Sequence, residues 1–167
     1  MEQFLNEFRD IVESARGNLL RLSAEQVTSH APAKWSPKEI VGHLVDSAAN
    51  NHQRFVRAQF TEDLICPPYD QESWVNAQKY CEAPWSDLVN LWAGYNLHLH
   101  HVIRVMPKDT LTRPRVKHNL DQVAWKAIDR DTPATLEYFV RDYVEHMKHH
   151  LQQILGAEFG NSYQTLN

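Results

Sequence analysis

Apolar side chains recur at three- and four-residue steps along four long stretches of the chain, which is the spacing of helices that bury one face. The first stretch extends from about Gln3 to Leu22, where Phe8, Val12 and Leu19 share a face. A first amphipathic helix is therefore predicted over this stretch.

The start of the second helix is marked by its capping residues. Ser36 is placed to accept a hydrogen bond from the amide of Glu39, and the Glu39 side chain can reach back to the amide of Ser36. Pro37 suits the first helical position, because the amide hydrogen that it lacks would have no partner there. The pattern predicts a helix that continues to about Phe60.

Two further amphipathic stretches predict the third and fourth helices. The third is expected to be capped by Ser86 and to end before Pro107. The fourth is expected to open at Thr132-Pro133, to continue to Leu155 and to stop at Gly156, since glycine is common directly after a helix.

Two long connections separate these helices. Residues 61–85 include a short amphipathic piece at 71–80, and residues 108–130 are mixed in character, with one helical turn expected near Ala124. An all-α fold is therefore predicted: a four-helix bundle with long crossover connections, formed by one domain over residues 1–167.

Charge and composition exclude several classes of function. The formal net charge is -4 at pH 7, and Lys and Arg are scattered, so neither nucleic acid nor an anionic membrane is an expected partner. The N-terminus lacks the pattern of a signal peptide, and no apolar run is long enough to cross a bilayer. A cytoplasmic protein is expected.

Ten histidines are an unusual number for this chain length, and imidazole is a common metal ligand. His146 and His150 lie one turn apart on the predicted fourth helix, whereas His149 falls on its polar side. Such a pair also arises by chance, and a partly buried histidine often forms only a hydrogen bond. Because a zinc-like site takes at least three protein ligands, a third must come from another element.

The second helix offers a candidate for that third ligand. His43, Ser47, Asn50 and Arg54 form a polar line at helical spacing, with Asp46 beside it. The spacing leaves two interpretations open, because the line is either a solvated face opposite the apolar one or the border of a cavity. In a cavity, His43 would ligate a metal, Asp46 would orient an imidazole, and Asn50 and Arg54 would bind an anionic or polar substrate.

The other histidines are expected to have surface or packing roles. They do not share a face: some point to different sides of the third helix, and others lie in predicted loops or face away from His43. They are His30, His52, His98, His100, His101 and His118.

Two segments together resemble the DinB superfamily, in particular its branch of bacillithiol transferases. They are WSPKEIVGHLVDSAANNHQRF, which begins at Trp35, and DYVEHMKHHLQQI, which begins at Asp142; PPYDQESW between them resembles the same branch. The resemblance implies a four-helix bundle, often dimeric, in which one histidine of the second helix and a pair from the last bind a divalent metal. On this sequence those ligands are His43, His146 and His150.

The resemblance also implies an enzyme with a small-molecule substrate, because this family contains thiol-dependent transferases and isomerases and metal-dependent hydrolases. Three imidazoles leave a coordination position open, where a metal lowers the pKa of bound water toward about 7 or holds a thiolate. We expect a detoxifying thiol S-transferase in which zinc or nickel activates a low-molecular-weight thiol. The alternatives are a hydrolase and a non-catalytic stress or interaction module that the metal stabilises.

Further roles follow from position along the helices. Asp46 and Asp142 each lie about one turn from a predicted ligand, so both are expected to contact a ligating imidazole. Asn50 and Arg54 are expected to contact the thiol or the substrate. A homodimer is consistent with the family.

Overall fold

The computed structural model describes residues 1–160, and this part of the chain is helical, with isolated bridges but no strand. The end of the predicted domain, residues 161–167, lies outside the described residues. The helices are α1 (Glu2–Leu19), α2 (Ala24–Thr28), α3 (Pro37–Arg57), α4 (Gln71–Gln78), α5 (Trp85–Val105), α6 (Lys108–Thr112), α7 (Leu120–Val123) and α8 (Leu136–Leu155), and a 3₁₀ turn at Tyr80–Glu82 follows α4. The predicted all-α fold is confirmed.

The four long helices α1, α3, α5 and α8 form a bundle. Helix α3 packs against α5 and α8, and α1 packs against the same two helices. Their buried faces meet in a core whose largest fully buried side chains include Phe8, Phe55, Trp92, Leu99 and Phe139. Burial of one such side chain stabilises the fold by about 1.5–3 kcal/mol, so these contacts hold the bundle together.

The predicted start of α3 is confirmed in detail. Ser36 Oγ accepts a hydrogen bond from the Glu39 amide, and a Glu39 carboxylate oxygen accepts one of 2.8 Å from the Ser36 amide. Pro37 is the first helical residue. The predicted helix of the first stretch ends earlier than expected, at Leu19.

Two predicted helix starts are wrong by a few residues. Helix α5 begins at Trp85 after Pro84, and the hydroxyl of Ser86 lies 3.4 Å from Asp87 Oδ1 and caps no amide. Helix α8 begins at Leu136, where Thr135 caps it. The late start has a non-local cause, because Ala134 is paired in both directions with the backbone of Arg115 and is therefore held extended.

The two long connections are fastened to the bundle and to each other. Asn119 accepts a hydrogen bond from the Cys66 amide and donates one to the Cys66 carbonyl. The buried guanidinium of Arg115 donates to three backbone carbonyls, so its polar groups are largely satisfied without an acid. The helical turn expected near Ala124 is present as α7, which ends just before it.

The 3₁₀ turn packs closely on α3. A Cβ atom at Gly42 would overlap the ring of Tyr80, so only glycine allows this approach. The Tyr80 hydroxyl donates a hydrogen bond of 2.7 Å to Asp46. Among residues 1–160, none of the helices combines the length and apolar character that crossing a bilayer would require.

Candidate metal centre

Helices α3 and α8 bring three histidines to one point. One ring nitrogen from each of His43, His146 and His150 lies within 4.8 Å of the others. His146 Nε2 is 3.3 Å from His43 Nε2 and 3.0 Å from His150 Nε2. His43 is 0% exposed, so the polar line on α3 does not form a solvated face at this position.

The cluster's nitrogen atoms fit a cation better than they fit hydrogen bonds to one another. His146 Nε2 carries at most one proton, yet it faces two other ring nitrogens. One cation would accept the lone pairs of all three rings. The rings of His43 and His146 meet nearly perpendicularly, at 87°, and those of His146 and His150 at 84°.

Burial keeps these imidazoles neutral. Desolvation lowers the pKa of His43 and of His146 to about 3, and it also lowers the pKa of His150. The proximity of other histidines acts in the same direction. Neutral imidazole is the form that ligates a metal, so near pH 7 protons do not compete for these nitrogens.

Two tryptophans form aromatic walls beside the cluster. The ring centre of Trp35 lies 5.2 Å from that of His43, and the ring centre of Trp125 lies 6.2 Å from that of His146. Neither was expected near the site from the sequence. Trp35 precedes the helix cap at Ser36, whereas the place of Trp125 depends on a long-range contact.

That long-range contact comes from Asp142. Its two carboxylate oxygens accept hydrogen bonds of 2.8 and 2.7 Å from the backbone amides of Trp125 and Lys126. Burial raises the pKa of Asp142, and the two amides act against this rise. Asp142 therefore holds Trp125 beside His146, and its hydrogen bonds are to these amides rather than to an imidazole.

Asp46 has partners in the first connection. Its Oδ1 accepts hydrogen bonds of 2.7 Å from both Gln78 and Tyr80. Burial raises the pKa of Asp46, and these two hydrogen bonds lower it. Asp46 Oδ2 and His43 Nδ1 are both buried, and neither has a hydrogen-bond partner within the described part of the chain. The expected contact of Asp46 with an imidazole is therefore not among its hydrogen bonds.

A cavity of about 140 Å³, called here the His146 cavity, adjoins the cluster. It is lined by aromatic rings together with a few polar side chains. Those that matter for its chemistry are Ser47, Asn51, Arg54, Tyr69, Trp125 and His146.

Arg54 is the charged group of this cavity that is least satisfied. It is only 7% exposed; one Nη donates to the Pro67 carbonyl at 2.9 Å, and the other lies 3.5 Å from Asn51 Oδ1. Its Nε has no partner, and none of the ion pairs among residues 1–160 includes Arg54. The guanidinium lies 5.9 Å from the ring centre of Tyr69.

Asn50 lies in a different cavity from the histidines. Its amide donates to the carbonyl of Asp46, and it lines a cavity of about 380 Å³, the Asn50 cavity, which shares Arg54 with the His146 cavity. Asn51 lines the His146 cavity instead. Steps of three and of four residues from Ser47 lead to Asn50 and to Asn51, so the spacing did not distinguish between them.

A third cavity, of about 760 Å³, opens at His150 and is called the His150 cavity. Its lining includes the apolar side chains of Trp35, Ile40 and Ile154 together with Lys34. The histidine cluster therefore has a cavity at His146 and another at His150. Each of these two residues therefore belongs both to the cluster and to the lining of a separate cavity.

The remaining histidines lie outside the cluster. His149 is exposed, in agreement with its expected polar side of α8. His100 is buried against Phe8, and His118 is buried with its Nε2 2.8 Å from the Thr132 carbonyl, so both have packing roles. The exposed His30 lines the His150 cavity. His52, His98 and His101 lie on α3 and α5.

The sequence model of the DinB superfamily matches residues 7–154. In structure, the chain is similar to YfiT from Bacillus subtilis, described as a probable metal-dependent hydrolase with an unusual four-helix bundle topology. The TM-score is 0.74 at 19% sequence identity, over 92% of this chain and 82% of YfiT. At this identity the likeness shows the fold, and the predicted four-helix bundle is confirmed.

The chain is also similar in sequence to a protein of Oceanobacillus iheyensis named as a "putative metal-dependent hydrolase". The two are 27% identical over 81 residues, which are 48% of this chain and 47% of that protein. The aligned part thus spans about half the length of the curated relative.

Proposed function

The chain belongs to the DinB superfamily, and on that premise we propose that it is a metal-dependent enzyme that transfers a low-molecular-weight thiol to an electrophilic small molecule. The ligands are His43, His146 and His150, through Nε2 of each ring, and zinc or nickel suits such a set. The observation that carries the proposal is the cluster of three neutral imidazoles with a cavity at His146 and another at His150.

A bound divalent ion would supply the stabilisation that keeps a thiol as its nucleophilic thiolate near neutral pH. Two cavities favour two organic reactants over one reactant and water. In the reaction, the thiol proton is released to solvent, a new bond forms between sulfur and the electrophilic carbon, and the leaving group departs with the electron pair of the bond that breaks. No oxidant or reductant is required.

Arg54 supports recognition of an anionic group in the His146 cavity. A buried guanidinium without an acid is costly, and a carboxylate or similar group on the thiol would offset this cost. Asn51 lies beside Arg54 and adds an amide to the same cavity. A longer ligand would extend past Arg54 to Asn50, because the Asn50 cavity shares Arg54.

Trp35 and Trp125 limit the access of water to the reacting atoms. Their rings pack on His43 and His146, and the hydrogen bond that the Trp125 amide donates to Asp142 keeps one of these rings in place. Asp142 is accordingly a positioning residue in this proposal. Asp46, one turn after His43 on α3, accepts hydrogen bonds from Gln78 and Tyr80 and so fastens the first connection to this helix.

Hydrolysis is the second candidate, favoured by the names of the similar proteins from Bacillus subtilis and Oceanobacillus iheyensis. The same ion would lower the pKa of bound water toward about 7. In that case one cavity would hold the scissile substrate. The two candidates differ in whether a thiol is consumed.

Cobalt(II) substitution and paired activity assays separate these functions. Cobalt-loaded protein titrated with 3-mercaptopropionate is expected to gain a sulfur-to-cobalt charge-transfer band, and thiol-dependent turnover of 1-chloro-2,4-dinitrobenzene should disappear on chelation. Turnover of 4-nitrophenyl acetate without thiol, and no such band, would instead favour the hydrolase. No turnover in either assay, with loss of helicity on chelation, would favour the metal-stabilised module.

A further inference from the structure

A second pair of imidazoles meets on another face of α3. His52 follows His43 by about two and a half helical turns, which turns its side chain to the opposite side of the helix. There, His52 Nε2 lies 3.3 Å from Nε2 of His98 on α5. The ring centres are 4.9 Å apart, with an angle of 59° between the rings.

The separation of the two nitrogens matches a shared ion. Two imidazoles at about 2.0–2.1 Å from a tetrahedral ion place their ligand atoms about 3.3 Å apart. His43 and His146 in the metal centre show the same Nε2 separation, 3.3 Å. A hydrogen bond between His52 and His98 would be long, because such bonds usually hold heavy atoms at about 2.7–3.2 Å.

The surroundings leave room for water ligands but offer few other protein ligands. His98 is exposed and His52 is half-buried, so solvent reaches the pair. In the described residues, His43, His146 and His150 form the one cluster of three possible metal ligands, so this pair has no third histidine, cysteine or carboxylate close enough to join it. His101 stacks against His98 with 6.5 Å between ring centres, and its Nδ1 lies 3.4 Å from Arg104.

Protonation of His52 does not oppose an ion at this place. Partial burial and the neighbouring His98 lower the pKa of His52, so its lone pair is available near pH 7. Arg104, on the same helix as His98, contacts His101 rather than His52 or His98.

We propose that His52 and His98 form a second metal-binding site, which takes one divalent transition-metal ion on two imidazole nitrogens and completes its coordination with water. Copper(II) and nickel(II) suit this donor set best, because affinity for nitrogen ligands rises along the first-row metals up to copper. The ion would join α3 to α5 at the protein surface. It would bind more weakly than an ion on three buried imidazoles.

The test compares the full-length wild type with His52→Asn, His98→Asn and His101→Asn. Asparagine keeps these half-exposed or exposed positions polar, and circular dichroism verifies the helices of each variant. Isothermal titration with nickel(II) is expected to show a weaker binding event in the wild type and in His101→Asn. That event should weaken by more than about tenfold in the other two variants, which lack one of two ligands.

Pulsed electron paramagnetic resonance of the copper(II) form adds a structural readout. Two coordinated imidazoles are expected in the wild type at this site, and one or none in His98→Asn. The proposal is overturned if the weaker event persists unchanged in His52→Asn and His98→Asn, if His101→Asn loses it equally, or if the wild type shows no such event. If one of the two variants fails to fold, the titration of the other variant and the wild-type spectrum still test the proposal.

Discussion

The two faces of α3 place an imidazole in opposite environments. On one face His43 is fully buried beside Trp35, and on the other His52 is half-exposed. Each has an Nε2 partner at 3.3 Å, His146 for the first and His98 for the second. Close nitrogens are therefore common to both faces; burial, a third imidazole and adjoining cavities distinguish the first face from the second.

The largest expected effect is the loss of tightly bound metal when one of the three proposed ligands is removed. His150→Ala is expected to reduce tightly bound metal from about one ion per chain to nearly none, because two imidazoles hold an ion far more weakly than three. Elemental analysis after extensive dialysis measures this. His149→Ala, the exposed neighbour on α8, is the matched control and should retain the ion. Metal content that stays near one ion in His150→Ala would refute the ligand set.

Acid should lower the free energy of unfolding of the metal-free protein, because His43 and His146 are buried in the folded state. The unfolded chain takes up protons on histidine from about pH 6.5 downward, whereas burial lowers the pKa of His43 and His146 to about 3. The unfolded state thus binds more protons between these values, and the free energy of unfolding should fall toward pH 4 by about 3 kcal/mol for each of the two histidines. The raised pKa of Asp46 acts with the opposite sign.

Urea unfolding of the metal-free protein, prepared with a chelator, at a series of pH values measures this fall. His52→Asn should leave the size of this fall in the free energy of unfolding nearly unchanged, because His52 is partly solvated in the folded state. A free energy of unfolding that stays constant from neutral to acidic pH would contradict the neutral, buried state of His43 and His146.

The packing of the first connection on α3 should tolerate no added methyl group. Gly42→Ala places a Cβ in the ring of Tyr80 and is expected to destabilise the fold by about 1–3 kcal/mol. Gly94→Ala on α5 is the control, because no atom lies within 4 Å of the added Cβ, and it should stabilise its helix by about 0.5–1 kcal/mol. Thermal unfolding compares the two; equal effects would show that Tyr80 does not constrain this face.

The role of Arg54 should appear as a preference for charged thiols. Arg54→Met is expected to weaken the cobalt-protein complex with 3-mercaptopropionate by about tenfold or more, while 2-mercaptoethanol binds as before, because only the former carries an anionic group. The charge-transfer band measures both affinities. Arg57→Met, an exposed arginine on the same helix, is the control. An equal loss for both thiols would assign Arg54 a structural role.

The smallest expected effect concerns the hydrogen bond that anchors the 3₁₀ turn. Tyr80→Phe removes the donor to Asp46 but leaves Gln78 bound to the same oxygen. A loss of about 0.5–1.5 kcal/mol in the free energy of unfolding is expected, with the metal stoichiometry unchanged. Loss of the metal in this variant would mean that the turn determines the position of His43 directly.

Local patterns determined much of this protein in advance. The capping residues of α3, the four amphipathic stretches and the pairing of His146 with His150 on α8 all depend on residues within a few positions of each other. Helical spacing is the same in every protein, so such features can be predicted without knowing what packs against them. The late start of α8 escaped prediction, since the backbone of Ala134 is held by a distant partner, Arg115. Helix α5 begins at Trp85, directly after Pro84, rather than after the expected cap at Ser86.

The tertiary structure alone decided which polar side chains face the site. Periodicity gives the direction of His43, Asn50 or Asn51 around the axis of α3, but whether that direction meets solvent or α8 depends on packing between elements far apart in the sequence. The same holds for Trp125, which lies beside His146 and donates its amide to Asp142, a residue 17 positions further along the chain. Burial is a property of the assembled bundle, and it is burial that gives three ordinary imidazoles the neutral state that a metal centre requires.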